Sequence, residues 1–259
     1  MNEQVITEVR QHKPLVHHLT NQVVMNFSAN GLLSFGGSPV MTAAEEEAQD
    51  MALHANAILI NIGTVTPTQL KAMIQAGKAA NEQNIPVVLD PVGVAATPFR
   101  QQAVQQILKE VKPTLIKGNA GEMAHLVHLP WETKGVESIG SGNQEEIAMK
   151  TSEMYDTAAV VTGKTDVSFI NGGIHFNNIG SSHLANVTGA GCLLGSILAA
   201  CLSTQGSLEE QVQTGVAFYG AAAAYAAKDT TVTGTGTFTA KFIDALSLDR
   251  NQLKERKNG

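Results

Sequence analysis

The sequence predicts an α/β fold of three layers (helices, sheet, helices), with a mostly parallel central sheet and an antiparallel edge. Short apolar runs alternate with longer helical patterns over residues 57–162, which is typical of βαβ units. An Asn-Gly-Gly turn signal at 171–173 then separates two short apolar runs, as in a hairpin. Helical stretches fill most of the remainder, and no repeat or long linker is visible. We therefore expect a single domain over residues 1–259.

The elements follow in order. Strands are predicted at residues 57–62, 86–89, 114–116 and 158–162, with hairpin strands at 167–170 and 174–176. Helices are predicted at 66–83, 99–110, from 120 onward, and at 145–155, 190–203, 208–228 and 238–248. Pro67 suits the first turn of its helix, because the N–H that proline lacks would have no partner there.

Composition excludes several classes of partner. A net charge of -6 and a pI of about 5.7 argue against nucleic acid and anionic membranes. The longest apolar stretches, 192–202 and 216–227, fall short of the roughly 20 residues of a membrane span. The polar segment 1–13 does not resemble a signal peptide. Two cysteines in one apolar helix, Cys192 and Cys201, suggest neither a disulfide framework nor a zinc cluster, so we expect a reducing cytoplasm.

Segment 188–192 (TGAGC) opens the apolar helix and is the strongest functional signal. The first N–H groups of a helix lack internal partners and lie at the positive end of its dipole, so they bind anions. Gly189, Ala190 and Gly191 leave room for phosphate oxygens to reach the backbone. A tight turn that only permits close helix packing explains the same residues.

Neither common nucleotide motif fits. Gly189, Gly191 and Gly195 are spaced one residue too widely for G-x-G-x-x-G. A Walker A loop could end at 163–165 (GKT), but Ala158 stands at its first glycine. A different kind of phosphate site is needed.

Parallel α/β sheets bind ligands beyond the carboxyl ends of their strands. The residues that follow strand ends should therefore gather at one edge; they are Gly63, Thr64, Asp90, Lys117, Asn119, Glu122, Thr162 and Asp166. Asp90 and Glu122 are candidate Mg²⁺ ligands, because Mg²⁺ favours one or two carboxylates together with substrate phosphates. Turn chemistry before Pro91 is the alternative for Asp90, and a capping box with Asn119 is the alternative for Glu122.

Other candidates also have two interpretations. Lys117 suits a triphosphate, although a lone lysine is more often solvated. Thr162 could contact phosphate or form a turn. Cys192 is a reactive thiol at a helix N-terminus or a small core residue. Adjacent His17 and His18 point different ways in regular structure, which favours structural roles over metal binding.

Six segments in this order carry a resemblance over nearly the whole chain. They are 17–21 (HHLTN), 37–41 (GSPVM), 90–93 (DPVG), 117–122 (KGNAGE), 162–163 (TG) and 188–192 (TGAGC). Together they closely resemble the hydroxyethylthiazole kinase family, within the ribokinase-like superfamily. The resemblance implies a ribokinase-like fold and phosphorylation of the hydroxyl of 4-methyl-5-(2-hydroxyethyl)thiazole by ATP in thiamine biosynthesis and salvage.

The resemblance also implies roles for residues. It implies Mg²⁺ near Asp90 and Glu122. It implies ATP contacts from Lys117, Thr162 and Asn119, thiazole contacts from Met41, Gly189, Asn21, Val23 and Gly63, and catalysis by Cys192 with the amides of Gly189, Ala190 and Gly191. A homotrimer with active sites at subunit interfaces is expected, in which the segment 21–41 serves a neighbour.

Two departures from the superfamily pattern matter. Cys192 stands where many relatives have an aspartate base, and Lys117 stands where many have arginine, which loses the bidentate phosphate fork. A catalytically silent thiazole-binding protein and a kinase for a related vitamin alcohol remain alternatives, while an oxidoreductase is disfavoured by the failed dinucleotide motif.

Overall fold

One sheet runs through the middle of the molecule. The structure, a computed structural model, describes residues 1–130 and 142–255, so residues 131–141 and 256–259 of the predicted domain lie outside it. In chain order its strands are β1 (Leu15–Leu19), β2 (Ser38–Met41), β3 (Ala57–Asn61), β4 (Val87–Asp90), β5 (Leu115–Asn119), β6 (Ala158–Thr162), β7 (Asp166–Ile170) and β8 (Gly173–Asn177).

The sheet is mixed in the predicted manner. Its strand order is β2-β1-β3-β4-β5-β6-β7-β8. Pairing is parallel from β2 through β6, and β7 and β8 are antiparallel at one edge. The turn between β7 and β8 has positive φ angles at Asn171 (50°) and Gly172 (83°), as a type I′ hairpin requires. The turn thus takes two residues, and Gly173 already belongs to β8.

Helices cover both faces of the sheet. They are α1 (Glu3–His12), α2 (Met25–Phe35), α3 (Ala48–His54), α4 (Pro67–Glu82), α5 (Pro98–Glu110), α6 (Ala120–Leu126), α7 (Gly142–Tyr155), α8 (Ala190–Leu202), α9 (Leu208–Ala227), α10 (Thr235–Leu246) and α11 (Arg250–Glu255). One buried core lies between the sheet and α1, α2, α8, α9 and α10. The other lies between the sheet and α3 to α7. This is the three-layer architecture that the alternating pattern predicted.

Sequence-local signals begin several helices. Thr66 caps α4 in a reciprocal box with Gln69, and Pro67 occupies the first helical position. Asn119 and Glu122 form the predicted capping box at the start of α6. No helix in the described part of the chain is long and apolar enough to cross a membrane.

Two features differ from the expected elements. The strands β1 and β2 and the helices α1 to α3 and α11 were not predicted as elements. In addition, β5 continues to Asn119, three residues beyond the predicted end. Lys117 pairs with Val160 inside the sheet, so it lies within a strand rather than after one.

Candidate functional site

The carboxyl edge of the parallel strands brings the predicted site residues together. Asn21 and Val23 follow β1, Met41 ends β2, Gly63 follows β3, Asp90 ends β4, Asn119 ends β5, Thr162 ends β6, Glu122 lies in the first turn of α6, and Gly189 to Cys192 open α8. Lys117 reaches the same edge from within β5. The strand-end rule therefore located the residues correctly.

The start of α8 has a backbone geometry that needs glycine. Gly189 is its N-cap, with φ of 87° and no side chain to cap the helix. A Cβ at Gly189 would lie 2.5 Å from Cγ1 of Val24 in the loop after β1. The buried Tyr219 of α9 donates its hydroxyl to the carbonyl of Ala190. The first N–H groups of α8 are thus held at a fixed place with no side-chain cap over them.

A buried ion pair lies beneath this turn. Nζ of Lys117 is 3.0 Å from Oδ1 of Asp90, and the side chains are 3% and 0% exposed. Lys117 also donates to the carbonyl of Gly191 at 3.0 Å. The interpretation of Lys117 as a solvated surface lysine is wrong, because β5 carries the residue into the sheet and Asp90 compensates its charge.

The charges in this cluster shift one another. Burial raises the pKa of Asp90 to about 6, while Lys117 opposes that shift and Glu122 adds to it. Burial acts to lower the pKa of Lys117, but Asp90, Cys192 and Glu122 together raise it. The ammonium therefore stays charged in the interior, and the carboxylate depends on it.

Glu122 has two structural contacts. Its Oε2 accepts from the N–H of Asn119 at 3.0 Å, and its Oε1 accepts from the N–H of Gly93 at 2.8 Å. The cap was one of the two interpretations from spacing, and the contact to Gly93 ties α6 to the loop after β4. Each oxygen keeps a second lone pair for another ligand.

The residue set fits a magnesium ion. Oε1 of Glu122 accepts from the N–H of Gly93 in the loop that follows Asp90, so the two carboxylates belong to the same strand end, and Mg²⁺ favours one or two carboxylates. No group of three or more His, Cys, Asp or Glu side chains poised for a metal occurs in the described ranges. Mg²⁺ needs only one or two carboxylates and completes its shell with water and phosphate.

Cys192 lies in the first turn of α8 and is 8% exposed. Burial and the nearby Asp90 raise the pKa of its thiol, although Lys117, Asn61 and Asn21 act in the opposite direction. A helix N-terminus was expected to lower the pKa of this thiol, but burial and Asp90 outweigh that effect. Cys201 is fully buried further along the helix, and both cysteines are free thiols.

The two histidines have structural contacts. Nδ1 of His18 donates to the carbonyl of Val16, and its Nε2 accepts from the hydroxyl of Ser196 in α8. Nε2 of His17 donates to the carbonyl of Thr42 after β2. The rings thus tie β1 to different neighbours, in agreement with the structural interpretation.

The remaining predicted residues differ in exposure. Val23 is 69% exposed, and Met41 is half-buried. Thr162 donates its hydroxyl to the carbonyl of Gly118 at 3.2 Å, and it pairs with Asn119 across β5 and β6.

Three site residues were missed by sequence reasoning. Asn61 ends β3 and contacts Asp90 and Asn21. Arg100 donates to the carbonyls of Val92 and Gly63, and so joins the loops after β3 and β4. Tyr219 anchors α8. Of the three, only Asn61 could have been found from the sequence, because it is the polar residue within the apolar run 57–62.

A cavity of about 630 Å³ opens elsewhere, at the amino-terminal end of the sheet near Asn81, Lys112 and Asp156. None of the predicted site residues lines it. Its lining includes Leu208, the first residue of α9, but Ser207 already caps that helix start, and the charged pair in the lining, Lys112 and Asp156, is exposed rather than buried. The carboxyl edge therefore remains the better candidate.

Comparisons with known proteins show the family of this chain. The model of the hydroxyethylthiazole kinase family matches residues 6–251. Hydroxyethylthiazole kinase 1 of Oceanobacillus iheyensis is 59% identical over 255 residues, which are 98% of this chain and 99% of the relative.

Solved structures give the same result. A hydroxyethylthiazole kinase of Pyrococcus horikoshii matches with a TM-score of 0.87 and 33% identity, covering 99% of this chain and 96% of that one. A ribokinase-like superfamily protein of Enterococcus faecalis matches with a TM-score of 0.68 over 98% of this chain and 95% of that one. At 15% identity, this second match supports the ribokinase-like fold alone.

Proposed function

The chain belongs to the hydroxyethylthiazole kinase family, and from this premise we propose that it transfers the γ-phosphoryl group of ATP to the hydroxyl of 4-methyl-5-(2-hydroxyethyl)thiazole. The product, a thiazole phosphate, would serve thiamine biosynthesis and salvage. The observation that carries the proposal is the uncapped start of α8 above the buried pair of Lys117 and Asp90. Family membership supplies the substrate, and this geometry supplies a place for phosphoryl transfer.

The proposed mechanism is mostly positioning. The alcohol lies beside Cys192, in line with the γ-phosphoryl group. The amides of Gly189, Gly191 and Cys192 stabilise the charge that develops on the transferring oxygens, because they are fixed before the reaction begins. The N–H of Ala190, which was expected to join them, already donates to the carbonyl of Val187 at 3.1 Å. Phosphoryl transfer needs little covalent help from the protein, so a weak base suffices at Cys192.

Lys117, Thr162 and Asn119 are proposed to hold ATP. The buried ammonium of Lys117 already contacts the α8 turn through the carbonyl of Gly191, so a phosphate there would meet both a cation and helix amides. Asp90 and Glu122 would hold Mg²⁺, which neutralises charge on the phosphates when it is bound. Asn21, Val23, Met41, Gly63 and Gly189 are proposed to line the thiazole pocket.

We further propose one kinase domain that assembles as a cytoplasmic homotrimer with sites at subunit interfaces. The exposed Val23 supports this, since a pocket residue that is 69% exposed in one chain needs another wall. Light scattering would test the assembly: a mass of three chains of 27.3 kDa supports it, and a monomer that turns over the alcohol contradicts it.

The decisive experiment measures ADP release from ATP and Mg²⁺ with and without the thiazole alcohol, and identifies the phosphate product by mass. Alcohol-dependent turnover with the matching product supports the kinase. Binding of the alcohol without turnover would instead favour a silent binding protein. Failure of both would lead to the pyrimidine precursor of thiamine and to pyridoxal as test substrates.

A further inference from the structure

A continuous line of polar side chains joins the ion pair to Cys192. Nζ of Lys117 lies 3.0 Å from Oδ1 of Asp90. Oδ2 of Asp90 accepts from Nδ2 of Asn61 at 2.8 Å. Oδ1 of Asn61 accepts from Nδ2 of Asn21 at 2.9 Å, and the same nitrogen donates to Sγ of Cys192 at 3.5 Å. Residues from the loop after β1 and from β3, β4, β5 and α8 are thus connected through side chains.

Asn61 is the central member of this line and is fully buried. It ends β3 directly opposite Asp90 in the sheet register. Its Oδ1 also accepts from the N–H of Gly63 at 3.0 Å. Its amide is therefore held on both sides by three different partners.

The orientation of the Asn61 amide follows from the charge of Asp90. An ionised carboxylate can only accept hydrogen bonds, so Asn61 must turn its Nδ2 toward Asp90. Its Oδ1 then faces Asn21, which must present its own Nδ2. Since that nitrogen also reaches Cys192, the sulfur becomes an acceptor. Each hydrogen bond thus fixes the orientation of the next side chain in the line.

We propose that Asn61 is a positioning residue for phosphoryl transfer, which aligns Asn21 and Cys192 at the alcohol end with Asp90 and Lys117 at the phosphate end. This inference rests on the proposed function. Asn61 acts through its neighbours and is not assigned a contact with either substrate. The role has consequences for rate, because a misplacement of about 1 Å costs about 100-fold in rate.

Three variants test the role. Asn61→Asp keeps the shape and Oδ1 but replaces the donor with an oxygen that faces Asp90. Asn61→Ala removes the connection entirely. Asn81→Asp is the matched control, because Asn81 donates to the carbonyl of Lys112 and accepts from its N–H at the opposite end of the sheet.

Steady-state kinetics and melting temperatures are then compared. We expect both Asn61 variants to lower kcat about 10- to 100-fold while KM for the alcohol and for ATP changes by less than about threefold. Asn81→Asp, at a half-buried position, should keep kcat within about twofold of the unmodified enzyme, and its own loss of melting temperature shows how far general destabilisation affects kcat. A loss of kcat that merely follows the loss of stability, in the Asn61 and Asn81 variants alike, would overturn the proposal.

A second readout needs neither substrate nor metal. In a Cys201→Ala background, the alkylation rate of Cys192 by iodoacetamide reports its surroundings. Asn61 holds the amide of Asn21, whose Nδ2 donates to the sulfur of Cys192 and so favours its thiolate. Asn61→Ala releases Asn21 from this position and should therefore slow alkylation at fixed pH by about threefold or more. Asn81→Asp should leave the rate unchanged, and an unchanged rate in the Asn61 variants would refute the connection.

The two readouts also separate this inference from the proposed function. If the unmodified protein does not phosphorylate the alcohol, the proposed function fails, while alkylation still decides whether Asn61 controls Cys192. Should Asn61→Ala not fold, Asn61→Ser and Asn61→Asp provide the comparison. Asn21→Ala breaks the line one step later and should slow alkylation in the same way.

Discussion

The Lys117 ammonium and the Asp90 carboxylate are neighbours in the sheet interior, 3.0 Å apart and almost completely shielded from water. A buried pair of this kind gains little stability over an apolar pair, because both charges lose their hydration. Removing one partner is costly, however, since it leaves the other uncompensated. The pair therefore contributes little to stability, yet it makes the site sensitive to single substitutions.

We expect Lys117→Met to lower the free energy of unfolding by about 3 kcal/mol at pH 7.5, because Asp90 loses the cation that keeps it ionised and must either remain a buried unpaired charge or take up a proton. Urea denaturation measures this loss. In the Asp90→Asn background the same substitution should cost much less, since no buried charge remains. Equal losses in both backgrounds would show that the two side chains are not coupled.

We expect Gly189→Ala to destabilise the protein by more than the roughly 1–3 kcal/mol of backbone strain at positive φ. The excess arises because the new Cβ would lie 2.5 Å from Val24. Gly172→Ala is the control, with φ of 83° but open space around it. Thermal unfolding of both variants separates strain from collision, and equal effects would mean that the loop after β1 moves aside freely.

The fold was predictable where the local pattern matched the environment. The apolar runs of β3, β4 and β6 and the Asn171-Gly172 turn are sequence signals that the sheet confirms. β1 escaped prediction because its centre is His17-His18, which has the pattern of a polar segment. Its burial depends on partners far along the chain, the hydroxyl of Ser196 and the carbonyl of Thr42.

The site was predictable in its location but not in its contacts. Strand ends placed Asp90 and Thr162 at one edge, as found. The burial of Lys117 depends on the extension of β5 against β6, and apolar periodicity ends before that residue. The role of Asn61 depends on its register opposite Asp90 in the next strand. Register is a property of the assembled sheet, and a single sequence does not report it.

Substitutions at Cys192 test whether the thiol takes the substrate proton. Burial raises the pKa of the thiol, so the thiolate is scarce at neutral pH and the thiol is a poor base. We therefore expect Cys192→Ala to lower kcat by no more than about tenfold. Cys192→Asp should keep or raise kcat because a carboxylate is a better acceptor. A loss of about 1,000-fold in the alanine variant would assign the thiol an essential role.

Buried His18 should make the protein sensitive to acid. Burial lowers its pKa from 6.5 to about 4, so the unfolded chain takes up a proton that the folded chain resists. The contribution of this pKa shift to the free energy of unfolding is about 3 kcal/mol. It is present in full above pH 6.5 and is lost as the pH falls toward 4. We expect His18→Gln to be less stable at pH 7.5 and to approach the unmodified protein at pH 4, measured by urea denaturation. Ser196→Ala is the control, because it removes a hydrogen-bond partner of the His18 ring but keeps the ring buried. It should lower the free energy of unfolding and retain its dependence on pH. If the free energy of unfolding of Ser196→Ala did not change with pH, the hydroxyl of Ser196, rather than burial, would hold His18 neutral.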